Sequence, residues 1–209
     1  MSTEIIIYGA SGHGKVILAC LRSLQFPNSI LFIDDYPKED TLDGIPVVHK
    51  NQILSFENKQ MIIAVGCNKT RSKISKSINP NYISVIHSTA CISEYSELGI
   101  GTVVMPKVVV NPGTIIGMHC IINSAAVVEH DCQIADFCHI APNASLAGNV
   151  SVGEGSHIGI GAVVIQGVKI GKWTTIGAGA VIIHDVPDFA VVVGNPGKII
   201  KYTTFENIC

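Results

Sequence analysis

Residues 146–182 read LAGNVSVGEGSHIGIGAVVIQGVKIGKWTTIGAGAVI. An aliphatic side chain returns at every sixth place: Leu146, Val152, Ile158, Val164, Ile170, Ile176 and Ile182. The same phase runs backward without a slip through Ile140, Ile134, Val128, Ile122, Ile116, Val110, Val104, Leu98 and Ile92 to Ile86. Four places further on in each hexad the residue is small or β-branched, as at Ala126, Cys132, Cys138, Ala144, Val150 and Ser156. A period of six excludes an amphipathic helix, whose stripe recurs every ~3.6 residues. Short strands joined by tight corners satisfy it. Three hexads close one triangular coil, and stacked coils pair each strand with the one below at about 4.8 Å. The large aliphatic and small positions then share a narrow interior.

Residues eighteen apart lie above one another in such a coil. Cys120 and Cys138 stack at the small inward position and Cys132 occupies its equivalent on another face, so these cysteines read as core residues. His139 and His157 also stack, outside the core. For His157 we favour an exposed position without a role, and His49, His87, His119 and His184 read as surface residues. Glycines near 148–179 read mostly as corner residues needing a positive φ.

Upstream of the repeat the pattern changes. Glu4 to Tyr8 is a buried-strand run, followed by Gly9-Ala10-Ser11-Gly12-His13-Gly14-Lys15 and a helical stretch from Val16 to Leu24. A second strand, Ile30 to Ile33, ends in Asp34-Asp35, and a third, Met61 to Val65, ends in Gly66. A basic helix around Lys69 to Ile78 follows, and Tyr82 to Ile86 leads into the coil. Strand, glycine turn, helix and strand make a βαβ unit in a small parallel sheet. The free N–H groups of the helix it opens suit a phosphate. Acidic residues closing the next strand suit a ribose or sugar hydroxyl. The spacing GxxGxG is neither the full dinucleotide fingerprint nor a Walker A loop. We therefore expect a nucleotide-sugar-binding βαβ domain at 1–82, a β-helix at 83–187 and a tail at 188–209.

Bulk properties bound the function. The chain has 209 residues, 47% hydrophobic and 14% charged, with a formal net charge of −2. That excludes an electrostatic footprint for nucleic acid, and no apolar run is long enough for membrane insertion. The start, MSTEIIIYGASG, lacks a basic n-region and cleavage site, and the seven cysteines show no CxxC spacing. Both features predict a cytoplasmic, reducing environment with free thiols.

The candidate chemistry lies in Asn123-Ser124-Ala125-Ala126-Val127-Val128-Glu129-His130-Asp131, which sets a histidine between two carboxylates. The hexad frame turns His130 away from the interior. Imidazoles titrate near neutrality and suit removal of a proton from an attacking amine or hydroxyl. A carboxylate on the far ring nitrogen would fix the tautomer; Glu129 or Asp131 could serve. His139 or His157 could donate to a thioester carbonyl where negative charge develops.

GASGHGK, the FIDD strand end, NSAAVVEHD, CHIAPNASLAGNV and GNPGK, in that order, resemble the bacterial sugar O-/N-acyltransferases. That family includes sialic acid O-acetyltransferase and the UDP-4-amino-sugar N-acetyltransferases. The resemblance covers essentially the whole chain. It implies a left-handed β-helix, a homotrimer, acetyl-CoA in the cleft between neighbouring coils, and a nucleotide-activated sugar on the N-terminal domain. It implies His130 as general base and Asp131 as the carboxylate behind it, although many relatives carry Glu there. It places Ser11, Gly12, His13, Asp34, Asp35, Gly66, Asn123 and Glu129 against the sugar nucleotide. It places His139 at the acetyl carbonyl, with Gly148, Ile160, Ala178, Asn195, Pro196 and Lys198 along the CoA path. The implied reaction is direct acetyl transfer to an amino sugar in surface glycan biosynthesis, with no metal. A sugar hydroxyl as acceptor is the alternative. A zinc lyase of the γ-carbonic anhydrase type and a non-catalytic nucleotide-sugar scaffold are more remote.

Overall fold

The computed structural model describes residues 4–25 and 29–208. The first three residues, and Cys209 among the cysteines, lie outside the described residues. Strands β1 (Ile5–Tyr8), β2 (Ile30–Asp34), β3 (Thr41–Leu42), β4 (Ile45–His49), β5 (Gln60–Ile63) and β6 (Asn81–Tyr82) form one sheet in the order β3-β4-β2-β1-β5-β6. All its pairings are parallel except β3 with β4. The β3–β4 hairpin is absent from the sequence reading. Its pairing is only two residues deep, and Asp43-Gly44 marks the turn between the strands. Helix α1 (Gly12–Ser23) follows the glycine turn and α2 (Asn68–Ser77) follows Gly66-Cys67. Gly14 is required by packing, since a methyl there would lie 2.4 Å from the Gly9 carbonyl oxygen.

From β7 (Val85–Ile86) to β23 (Val181–Ile182) the chain forms two-residue strands, one per hexad. They stack into the three parallel walls of a triangular prism. The register is eighteen throughout one wall: Val103 opposes Ile121, Ile121 opposes His139, and His139 opposes His157. Ile122, Ile140, Ile158 and Ile176 fill the interior at 0% exposure, with Cys120, Cys132 and Cys138 beside them. Ile86 departs from the expected core pattern at 36% exposure, because no full coil lies beneath it. A hairpin of β24 (Ala190–Val193) and β25 (Lys198–Tyr202) extends the first wall beyond the last coil, with a cis Asn195–Pro196 peptide in its turn.

The corners repeat as regularly as the walls. A residue with positive φ recurs every six positions from Gly101 to Gly179, and it is glycine at fewer than half of them. Asp131, Asn143 and Asn149 hold such corners, as their short polar side chains permit. Gly153, Gly159, Gly171 and Gly177 do not take positive φ, contrary to the corner reading; they are small because the next coil presses on them. A methyl at Gly153 would lie 2.6 Å from Lys172 N and 2.7 Å from Gly171 C. Gly153→Ala should therefore cost about 2 kcal/mol, or roughly 4–8 °C in Tm. Gly161→Asn, at a corner with nothing within 4 Å of an added Cβ, should stay within about 2 °C of wild type. Equal losses in thermal unfolding would contradict the coil-contact explanation.

The N-terminal domain docks on one corner column of the prism, the stack Gly101, His119, Phe137, Gly155 and Trp173. His119 is buried at 5% exposure, which corrects its assignment as a surface residue. Tyr82 meets its ring edge-on at 4.5 Å and Phe137 stacks parallel at 5.4 Å. The hexad frame places His119 outward, but the docked domain covers that outward face. Cys20, Cys91, Cys120, Cys132 and Cys138 are free, whereas Cys67 is disulfide-bonded, a departure from the uniformly reduced thiols that composition suggests.

Candidate active site

The glycine turn and the end of β2 frame a cavity of about 520 Å³. Ser11, Gly12, Lys15, Asp34, Tyr36 and Lys38 line it. Ser11 is the N-cap of α1 but makes no side-chain cap bond, so the first N–H groups of that helix are left open to an anion. Asp34 holds the turn in place: its carboxylate accepts from Ala10 N at 2.8 Å and Tyr36 N at 2.9 Å. Asp35 is not among the lining residues. It accepts from the Tyr8 hydroxyl and pairs with Lys50.

His13 belongs to a different group, centred on His139. The His139 and His157 rings meet edge-on at 4.8 Å, and both are half-buried beneath the N-terminal domain. His157 is thus half-buried, not exposed as expected, and it lines a small cavity of about 230 Å³ with Gly66, Cys67, Asn68, Trp173 and Ile208. Asn123 Nδ2 lies 3.0 Å from His139 Nε2, and the Asn123 carbonyl oxygen accepts from Ser124 N. The amide therefore donates to the ring, and the neutral His139 carries its proton on Nδ1. The ring also hydrogen-bonds the Gly66 backbone. In this arrangement His139 has no Nε2 proton to offer a carbonyl.

Burial pushes His139 down to about 3, helped by His157, Arg71 and His13. Burial and Arg71 lower His13 to about 4. His119 also falls to about 4, by burial first and Arg71 second. These values lie below the ordinary 6.5. Between them the unfolded chain binds more protons than the folded one, so stability is full above about pH 6.5 and falls as pH drops toward 4. Tm should decrease between about pH 7 and pH 5, where carboxylates stay ionised. His119→Phe, which keeps the ring contacts, should flatten that slope. An unchanged Tm over this range would contradict three buried neutral histidines.

The second group sits at the corner between the other two walls. Asp131 takes the left-handed corner conformation, φ 59°, which swings its carboxylate beside the preceding imidazole. Asp131 Oδ2 lies 2.8 Å from His130 Nδ1, so the shorter aspartate reaches the ring. Glu129 instead accepts from Asn111 Nδ2 at 2.8 Å. The side chains of His130 and Asp131 are 61% and 67% exposed. Gly148, eighteen residues on, leaves room for the ring; a methyl there would lie 2.6 Å from His130 Nε2. That geometry explains the glycine without any ligand.

Ile160 and Ala178, also eighteen apart, stack on the corner between the first and second walls, above Ser124. The Gly194-Asn195-Pro196 turn continues that column, since Val181 N donates to the Gly194 carbonyl. Lys198 begins β25 and is exposed. Within one chain, then, His130 and Asp131 occupy one edge of the prism. Asn123, His139, Ile160 and Ala178 belong to the first wall and its far corner. Among the described residues no three or more His, Cys, Asp or Glu side chains gather as a metal site. Sequence reasoning missed Arg71. It sits in a basic helix and gives no signal that one of its cations is buried.

The triangular parallel β-helix makes the chain a hexapeptide-repeat transferase, one with a glycine-turn α/β domain docked on a corner column. Two family models match: the PglD N-terminal domain over residues 4–78 and the bacterial transferase hexapeptide (six repeats) over 149–184. The acetyltransferase domain of PglB from Neisseria gonorrhoeae is 37% identical, with a TM-score of 0.90, covering 95% of this chain and all of that one. PerB from Caulobacter crescentus, solved with CoA and GDP-perosamine, is 35% identical with a TM-score of 0.84, covering 95% and 97%. UDP-N-acetylbacillosamine N-acetyltransferase from Bacillus subtilis is 36% identical over 110 residues, 49% of this chain; the match spans about half, 51%, of that relative's length. The chain belongs to the bacterial sugar acyltransferase family that contains the PglB acetyltransferase domain and PerB.

Proposed function

We propose that the protein transfers the acetyl group of acetyl-CoA to the amino group of a nucleotide-linked 4-amino-4,6-dideoxy sugar. The observation that carries this reading is the His130–Asp131 pair, an accessible imidazole with its Nδ1 proton held by a carboxylate and its Nε2 free. The ligands bound by the relatives support the substrate class. The PglB domain has been solved with acetyl coenzyme A, and perosamine N-acetyltransferase with CoA and GDP-perosamine. The open N-terminus of α1 offers the place for the diphosphate.

The sugar nitrogen attacks the thioester carbonyl carbon, and His130 Nε2 removes the nitrogen's proton as the C–N bond forms. Asp131 stabilises the resulting imidazolium. The C–S bond breaks, and the imidazolium returns the proton to the departing thiolate. Cys120, Cys132 and Cys138 are buried in the coil and take no part. The split of the site between two prism edges requires a neighbouring protomer. The edge bearing His130 must meet a different edge of the next copy, and such a heterologous contact closes into a ring when each copy is turned by an even fraction of a full rotation. A homotrimer does this for a three-walled prism. No described helix is long and apolar enough to cross a membrane; we place the enzyme in the cytoplasm, with its acetyl-CoA.

The test is CoA thiol release from acetyl-CoA with UDP-, GDP- and dTDP-linked 4-amino-4,6-dideoxy sugars, and with CMP-sialic and free sialic acid. Release with one amino sugar is expected. Release with sialic acid alone would move the acceptor to a hydroxyl, and failure to bind acetyl-CoA would overturn the reading.

A further inference from the structure

Arg71 is 1% exposed, yet all its guanidinium contacts are neutral. Nε donates to the His119 carbonyl at 2.7 Å. One terminal nitrogen donates to the carbonyls of Val65 at 2.9 Å and Gly66 at 3.2 Å. The other reaches Asn68 Oδ1 at 2.8 Å, the Phe137 carbonyl at 2.9 Å and, at 3.4 Å, that of Cys138. None of the ion pairs among the described residues includes it. Carbonyl dipoles satisfy the N–H groups but do not neutralise the charge, and a buried unmatched cation is costly.

Part of this is docking. The carbonyls of His119, Phe137 and Gly155 come from successive coils of one corner column. Arg71 takes the first two and Asn68 Nδ2 takes the third at 3.0 Å. Docking alone would be served by neutral donors. The charge has another consequence, because the Gly66 carbonyl that Arg71 holds belongs to the residue whose backbone bonds the His139 ring. Around that ring stand His13 from α1, Arg71 from α2, His157 from the next coil and the Asn123 amide from the coil before. None is acidic; Asp136 acts on His119.

We propose that the His13–His139–His157 group receives the acceptor amine and that Arg71 is its positioning residue: it fixes the Gly66 turn and the His139 ring, and its unmatched charge keeps the group's surroundings electropositive, so that the sugar amine arrives as the free base that attacks. A nearby positive charge disfavours an ammonium as it disfavours an imidazolium. Burial first, then Arg71, lowers His13 and His157 as well. The amine part of this inference rests on the amino-sugar reading; the histidine part does not.

Two readouts separate them. Histidines carrying ¹³C at Cε1 would be titrated by NMR in wild type, Arg71→Met and Arg71→Lys, with His13 and His139 signals assigned by single substitution. In wild type both should stay neutral to about pH 5; in Arg71→Met the His139 titration should move upward, and in Arg71→Lys, which keeps the charge, it should stay low. In turnover, Arg71→Met should shift the acidic limb of kcat for the amino sugar, which reports groups in the bound complex, to higher pH, and Arg71→Lys should raise KM about tenfold because the Gly66 turn loses a hydrogen bond from a charged donor. A His139 titration in Arg71→Met unchanged from wild type would overturn the electrostatic role. Ordinary titration of wild-type His13 and His139 would also overturn it, and if Arg71→Met does not fold, Arg71→Gln, which keeps donors for the carbonyls without the charge, takes its place with the same expected rise of the His139 titration. Absence of turnover with every acceptor would count against the amino-sugar reading and leave the NMR result to decide the histidine part.

Discussion

His130→Ala should lower kcat for CoA release by at least ~100-fold, the contribution of a positioned general base, while acetyl-CoA affinity stays near wild type. The side chain is on the surface of the coil, so its removal opens no cavity. Its backbone carbonyl still accepts from Asn149 N, and the corner is preserved. Asp131→Asn should cost less in kcat than loss of the ring, because an amide presented to Nδ1 selects the wrong tautomer without removing the imidazole. Gly148→Ala tests the same geometry from the coil above: a methyl 2.6 Å from Nε2 must push the ring aside, so kcat should fall with KM for acetyl-CoA little changed. Wild-type turnover in His130→Ala would remove the ring from the mechanism, and with it the role of Asp131.

These local relations were legible in the sequence for a physical reason. The hexad fixes which residues face inward and which stack. His130 beside Asp131, Cys120 beneath Cys138, and His139 beneath His157 are all near in chain or separated by one coil. Corner conformations were partly legible, since Asp131, Asn143 and Asn149 are residues that tolerate positive φ. Contacts between the two domains were not. His119 and His157 are outward in the repeat, and only the docked helix α2 determines that outward here means covered. Arg71 looks like any other cation in a basic helix until five carbonyls and an amide close around it. The roles of the glycines were similarly hidden: Gly99 and Gly117 answer to a neighbouring coil eighteen residues away, and Gly161 and Gly167 to their own backbone. Asp35 and Asp34 are adjacent in sequence, but strand alternation sends one to Tyr8 and Lys50 and the other to the cavity.

Mixing two inactive variants should restore activity. His130→Ala keeps the acceptor pocket and lacks the base. His13→Ala/His139→Ala keeps the base and lacks the two histidines that the proposed site assigns to the acceptor pocket. If, as proposed, the protein is a trimer whose base and pocket come from different protomers, co-assembled trimers contain some interfaces with both parts intact. With equal amounts and random assembly, each interface draws a base-intact protomer half the time and a pocket-intact neighbour half the time, giving about a quarter of wild-type turnover in a closed heterologous ring. The variants must be co-expressed or refolded together, because subunits mixed after assembly need not exchange. The argument depends on the prism: His130 is at the corner joining the second and third walls, while His139 is a strand residue of the first wall, facing the docked domain. No rotation of a side chain carries one ring to the other across a filled coil whose interior is closed by Ile122, Ile140 and Ile158. A protomer that contained a complete site would give no rescue, since every chain in the mixture lacks one half. Rescue well above background would place the base and the acceptor pocket on separate chains, and its absence in verified mixed trimers would return both to one chain and end the shared-site reading.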